Sequence, residues 1–393
     1  MAPTKKVFLH VGSPKTGTTL LQDLLFHNRH RLAEHGVLYA AKRFDQHFLA
    51  ALDLMGMKWG GLEKDAAGAW SRLAAQAREF DGNVVISHEI LAAANQEQAE
   101  RALRDLDAEV HLVCSARDLA RQIPAEWQES IKHRREFGYA DFCADLQLAK
   151  PKLQASRWFW KVQSWPEVLA RWGSTLPADR VHVVTVPAPD APRSLLMERF
   201  VDTLEIKPGW LAERSQRSNA GLGGVEATVI KHVNQRLPPT RLEPHYYREI
   251  VRELLAHRTL AGHLAGGKVV LPPALYEWAS ALSQDWTEQL RAAKYDIVGE
   301  LDDLLPAAPA GAWVDPDAAT PLQQLEVTEA ALDAVILELA RSRRAEDEHR
   351  AAGSSAPSRS DRTEWVKRRL VEGAERNRGL AVAHRAYRRL RSR

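Results

Sequence analysis

Between Val7 and Gln22 the chain reads Val-Phe-Leu-His-Val-Gly-Ser-Pro-Lys-Thr-Gly-Thr-Thr-Leu-Leu-Gln, an order of residue types suited to holding an anion. Val7 to Val11 is a short β-rich run ended by Gly12, the pattern of a buried strand. Leu20, Leu21, Leu24 and Leu25 then recur at helical spacing within Thr18 to His30. In the loop between, glycine and small residues let successive backbone N–H groups face one concavity. The helix that follows presents its positive end to the same place. Thr18 and Thr19 add hydroxyl donors and Lys15 a mobile cation. A triphosphate-binding loop of the pattern GxxxxGK[ST] would share the Gly12 to Gly17 spacing, but Thr18 stands where that pattern needs its lysine.

Two further stretches carry candidate chemistry. Ser87-His88-Glu89 follows the apolar run Val84-Val85-Ile86 and offers a base at a strand end, where open α/β sheets bind ligands. Ser115-Ala116-Arg117 follows Val110 to Cys114 and offers a guanidinium fork for a phosphate. Neither strand end presents a magnesium-binding aspartate of the kind that accompanies nucleoside triphosphate hydrolysis.

Positioning these groups requires strands that alternate with helices. Strands are expected at Val7 to Val11, Gly36 to Ala40, Val84 to Ser87, Val110 to Cys114 and Val181 to Val186. The fold class expected is α/β, a P-loop-type parallel sheet flanked by helices, with a helical C-terminal extension. From about residue 195 the pattern is almost wholly helical, with helices expected at Leu275 to Ala293 and Leu322 to Arg344. The division expected is an α/β domain over 1–305, a Pro/Ala/Gly-rich linker over 306–321, a helical extension over 322–350 and a basic, partly disordered tail over 351–393. Trp158, Phe159, Trp160, Trp165 and Trp172 lie close together and are read as core aromatics, with a lining role in an acceptor pocket as the alternative.

Composition narrows the class. The chain of 393 residues is 45% hydrophobic and 27% charged, an ordinary soluble balance. Its 2 cysteines, Cys114 and Cys143, make neither a zinc motif nor a disulfide framework, which points to a reducing compartment. The apolar run at the N-terminus is too short for a signal-peptide core, and no other stretch approaches membrane-spanning length, so a cytoplasmic protein is expected. Residues 351–393 hold 12 Lys and Arg against 4 Asp and Glu, so the tail is the place for an anionic partner, with a solvated solubility tail as the plainer reading.

Pro14-Lys15-Thr16-Gly17-Thr18-Thr19 resembles the 5′-phosphosulfate-binding loop of sulfotransferases that use 3′-phosphoadenosine 5′-phosphosulfate (PAPS). With Gly36-Val37-Leu38-Tyr39 included, the segment is similar to bacterial members in particular, and the resemblance covers roughly residues 5 to 235, one domain in size. It implies that the loop from Ser13 through Lys15 binds the donor, with Thr16, Gly17, Thr18 and Thr19 on the 5′-phosphate. It gives Lys15 the bridging oxygen where charge develops as the S–O bond breaks. It makes His88 or Glu89 the base, with His88 placed first, and gives Arg117 the 3′-phosphate. Arg217, within Arg217-Ser218-Asn219-Ala220-Gly221-Leu222-Gly223, would close that phosphate site. The family needs no metal. Its usual serine eight residues after the arginine is Ala125 here, leaving Arg121, Gln122 or Gln128 as candidate substitutes. The acceptor implied is a small molecule or carbohydrate, and Lys132-His133-Arg134-Arg135 hints that it is anionic. The competing readings are a P-loop small-molecule kinase and a relict that binds the nucleotide without catalysis. Oligomeric state is left open, with the 322–344 helix as a candidate pairing element.

Overall fold

Short runs of β-branched residues, each too apolar to face water, pair side by side into one six-stranded sheet. The computed structural model describes residues 5–352 apart from 60, 193, 213–220, 266 and 308–312. Its strands are β1 (Lys6–Gly12), β2 (Val37–Tyr39), β3 (Asn83–Ser87), β4 (Glu109–Ala116), β5 (Val181–Thr185) and β6 (Asp296–Val298). They lie in the order β2-β3-β1-β4-β5-β6 and every pairing is parallel. The five expected strands are present, and β6 is an addition in a region read as helical. That strand has only Ile297 and Val298 as apolar residues and lies at the sheet edge, too short to leave a periodic signal.

Side chains alternate across the sheet. Phe8, Val85, Val113 and Val184 cluster with Leu21, Leu24, Leu25 and Leu32 of helix α1 (Thr18–Glu34) and with Phe200. Three of the five aromatics read as core are buried, while Trp158 and Trp160 are half-buried. Phe159, Trp165 and Trp172 are fully buried on the helices Gln154–Gln163 and Trp165–Gly173, and the Trp172 indole N–H donates to the Leu91 carbonyl at 3.0 Å. The helix expected from Leu275 runs Tyr276–Ala293, and Trp286 on it meets the rings of Trp160 and Trp165 edge-on.

The chain divides into two units. Residues 1–129, 138–219 and 270–313 make up the first and hold the whole sheet; 130–137, 220–269 and 314–393 make up the second. The described residues of the second are mostly helical: Gly224–Arg236, a π-type helix Tyr247–Thr259 and the long helix Pro321–Ala352. Its interior is polar in places. Asn234 donates to the carbonyls of Ile131 (2.9 Å) and Arg135 (2.8 Å), and Tyr247 donates to Asn234 at 2.7 Å. Arg134 lies over the Tyr247 ring and donates to the Leu242 carbonyl, so this member of the basic run has a structural partner. Residues 353–393 and Arg217 fall outside the described residues.

Candidate functional site

The first strand ends in a bulge between His10 and Gly12, and the chain turns through Ser13 to Thr16 before α1 begins. A layer of buried polar groups fixes that turn. The Ser13 N–H donates to the Ser115 carbonyl at 2.9 Å, and the Ser115 hydroxyl donates to the Gly12 carbonyl at 2.9 Å. The Thr16 hydroxyl donates to the Ser13 carbonyl at 2.6 Å and also meets the Ser115 hydroxyl. His10 sits below, with Nδ1 2.8 Å from the Ser87 hydroxyl and Nε2 facing Ser115. Burial pulls its pKa down to about 4, so it is neutral near pH 7. The sequence placed Thr16 on the ligand, but its hydroxyl is committed to shaping the loop.

Two glutamines hold the loop from outside. Gln122 and Gln163 both donate Nε2 hydrogens to the Pro14 carbonyl, at 2.6 and 3.1 Å, and Gln163 also donates to Glu126 at 2.8 Å. Lys15, at φ 66°, points its ammonium to Glu129 at 2.5 Å, and its carbonyl accepts from Arg117 Nη1 at 3.0 Å. Gly17, at φ 88°, precedes α1; no side chain caps the helix and no acidic residue lies in its first turn. The positive end of a 17-residue helix therefore faces the loop with its first N–H groups unclaimed by the helix. Thr18 is buried and Thr19 half-buried at that end.

The chain leaving β3 lies against this loop, since a Cβ on Gly12 would come within 2.8 Å of the Glu89 carbonyl oxygen. His88 is buried beside Phe48, and its Nδ1 accepts from the Ile90 N–H at 3.3 Å, capping the turn Glu89–Ala93. Glu89 accepts from Gln22 Nε2 of α1 at 2.7 Å and lies 4.0 Å from His88 Nδ1. The ends of β3, β1 and β4 thus bring His88, Glu89, Lys15 and Arg117 together around the start of α1. Arg121 does not join them, because Asp118 and the carbonyls of Val186 and Pro187 hold its guanidinium.

Charge at the site is finely divided. Burial, then the neighbouring Arg121, lowers the Arg117 pKa to about 10, which leaves it a cation at neutral pH. Burial pushes the Glu126 pKa up to about 7, against the opposing pull of Lys15. Sequence reading named Gln122 only as a candidate substitute for the serine that Ala125 replaces and missed Glu126 and Glu129, although the three recur at i, i+4 and i+7 on the helix Leu119–Lys132. Gln163 gave no sequence signal, being 149 residues from its Pro14 partner.

Among the described residues, four buried polar atoms at the loop have no hydrogen-bond partner: the Ser13 hydroxyl, Arg117 Nε and the Oε1 atoms of Gln122 and Gln163. The donor set is N–H, hydroxyl, ammonium and guanidinium, which fits an anion carrying several phosphate-like groups.

Solved structures similar to this chain include a sulfotransferase from Alicyclobacillus acidocaldarius, at 13% identity over 74% of this chain and 95% of that one, with a TM-score of 0.40. Another is the sulfotransferase domain from the curacin biosynthetic pathway, at 16% identity over 57% of this chain and 82% of that one, with a TM-score of 0.31. No protein-family model and no curated protein matches the chain.

Proposed function

We propose that the chain is a sulfotransferase that moves a sulfuryl group from PAPS to a hydroxyl or amine acceptor by in-line displacement. The observation that carries this reading is the convergence at the carboxyl ends of β3, β1 and β4. An uncapped helix start with Lys15, the His88–Glu89 pair and Arg117 meet beyond the central strands of a parallel sheet, where such sheets bind ligands.

Gly17, Thr18 and Thr19 hold the 5′-phosphate by helix-end N–H groups and hydroxyls, and Arg117 holds the 3′-phosphate. PAPS supplies the activated S–O bond. Lys15 must exchange Glu129 for the ligand to act, and its charge then offsets the electron pair left on the departing phosphate oxygen. Glu89 takes the proton of the acceptor. His88, first in the sequence reading, has its Nδ1 lone pair in the cap to Ile90, so in its neutral form the remaining nitrogen carries hydrogen and donates. Glu89 is a carboxylate oriented by Gln22 and needs no such rearrangement.

The kinase reading is weaker on the same residues. Thr18 replaces the triphosphate-gripping lysine, and the acidic group after β4, Asp118, is tied to Arg121.

Isothermal titration with 3′-phosphoadenosine 5′-phosphate tests the proposal. Wild type is expected to bind it without magnesium, Arg117→Ala to lose binding, and Lys15→Ala to bind yet fail in transfer. Absent binding, or equal binding of ADP with magnesium, would sink the reading. Tight binding without transfer to any acceptor would favour the relict.

A further inference from the structure

Glu126 is a buried carboxyl that the transfer chemistry above leaves unused. Its Oε1 accepts from Gln163 Nε2 at 2.8 Å, and the same nitrogen donates to the Pro14 carbonyl. A carbonyl can only accept, so the Pro14 contact fixes which way the Gln163 amide points. Among the described residues, the buried Oε1 of that amide finds no donor. Gln122, one helical turn before Glu126 and also bonded to the Pro14 carbonyl, leaves its own Oε1 in the same condition. Two buried acceptors without donors therefore stand beside one carboxyl group, and such acceptors are costly. Gln163 already touches Glu126, so an O–H on Glu126 Oε2 would complete an acid–amide pair by rotation of the carboxyl. The charges acting on Glu126 oppose one another. Burial favours its neutral form most strongly, Lys15 on the loop opposes that, and Glu129 on its own helix and Glu89 beyond β3 reinforce it.

Resting on the sulfotransferase reading, we propose that Glu126 is a positioning residue for the donor, taking a proton from solvent onto Oε2 as the anionic ligand enters the loop. Ligand entry turns Lys15 from Glu129 toward the ligand and brings several negative charges, and both changes work against an ionised Glu126. The proton closes the pair with Gln163, which braces the Pro14 carbonyl, and leaves the Lys15 charge undivided for the ligand. No bond of the ligand is made or broken in this step. The buffer loses the proton that Glu126 gains.

Titration calorimetry with 3′-phosphoadenosine 5′-phosphate in Hepes and in Tris, at matched pH and ionic strength, counts the protons exchanged on binding. Glu126→Gln keeps the acceptor for Gln163 and adds a permanent N–H donor, copying the protonated carboxyl. The ligand's own phosphates titrate alike against both proteins, so the difference between them belongs to Glu126. At pH 7 wild type is expected to take up about half a proton more than Glu126→Gln, because a group with a pKa of about 7 is half ionised beforehand. The bound state has the higher pKa, so wild-type affinity should fall relative to the variant as pH rises above 7, by up to roughly tenfold per pH unit. Difference infrared spectroscopy of wild type alone should show a carboxylic acid band gained and a carboxylate band lost on ligand addition. Binding with no proton difference, or with no such band, would overturn this inference and leave the sulfotransferase reading standing. Weaker binding by Glu126→Gln than by wild type at about pH 8.5 would overturn it too. Absent binding of the nucleotide by wild type would sink both.

Discussion

At the scale of single residues, the loop cation is held by a carboxylate that an anionic ligand must displace. Glu129→Gln removes that competitor while keeping most of the shape. Affinity for 3′-phosphoadenosine 5′-phosphate should rise, by up to roughly tenfold or about 1.4 kcal/mol, as read by titration. Lys15→Ala should lower turnover by about 10²–10³-fold, the usual effect of losing one group that stabilises transition-state charge. Glu126 gives a pH signature. Its folded pKa lies above the value for an exposed glutamate, so the folded state holds the proton more tightly. Its contribution to stability is complete below about pH 4.5 and is lost as pH rises through about 7. Glu126→Gln should therefore flatten that part of the melting profile, by roughly 3 kcal/mol at most. A wild-type profile with the opposite slope there, or one the variant leaves unchanged, would refute the assignment. Lys15, Arg117, His88 and Glu89 were legible because each stands in a strand-end motif. Glu126, Glu129 and Gln163 were not, because only tertiary packing brings them to the loop, and in sequence they look like the solvated face of a helix.

At the scale of elements, two glycines set the distance between strand ends. Gly12 has φ 125° and Glu89 at its back; a Cβ there meets backbone rather than a movable side chain. Gly12→Ala should destabilise the protein by about 1–3 kcal/mol and push the Glu89 segment off the loop, so nucleotide affinity and melting temperature should fall together. Gly17→Ala meets only Leu196, but at φ 88° it also strains the start of α1. An unchanged melting temperature in Gly12→Ala would contradict the packing described. The strand–loop–helix around Gly12 could be read from sequence because residue type changes sharply at each boundary. The helix Leu119–Lys132 hid its role, since its buried stripe of Leu119, Ile123, Trp127 and Ile131 explains the periodicity without reference to its polar side.

At the scale of the molecule, the sheet and the described residues of the candidate site belong wholly to the first unit, and the basic tail falls in the stretch assigned to the second. Removing residues 353–393 should leave affinity for 3′-phosphoadenosine 5′-phosphate within about twofold, well under the 1.4 kcal/mol of a tenfold change; a larger loss would make the tail part of the site. The alternation of strands and helices made the parallel sheet legible from sequence. The second unit was not, because it is assembled from three separated stretches of chain with no repeating pattern. The buried bond from the Ser13 amide to the Ser115 carbonyl has a consequence for hydrogen exchange. Loop amides ordinarily trade their protons with water quickly, but this one lies inside the central strands and should open only when the sheet does. The amides of Thr18 and Thr19, a few residues on, should exchange fast in the free protein and slow when an anion arrives. The loop thus carries its own reference and its own sensor, readable in one deuterium-labelling experiment with no acceptor known.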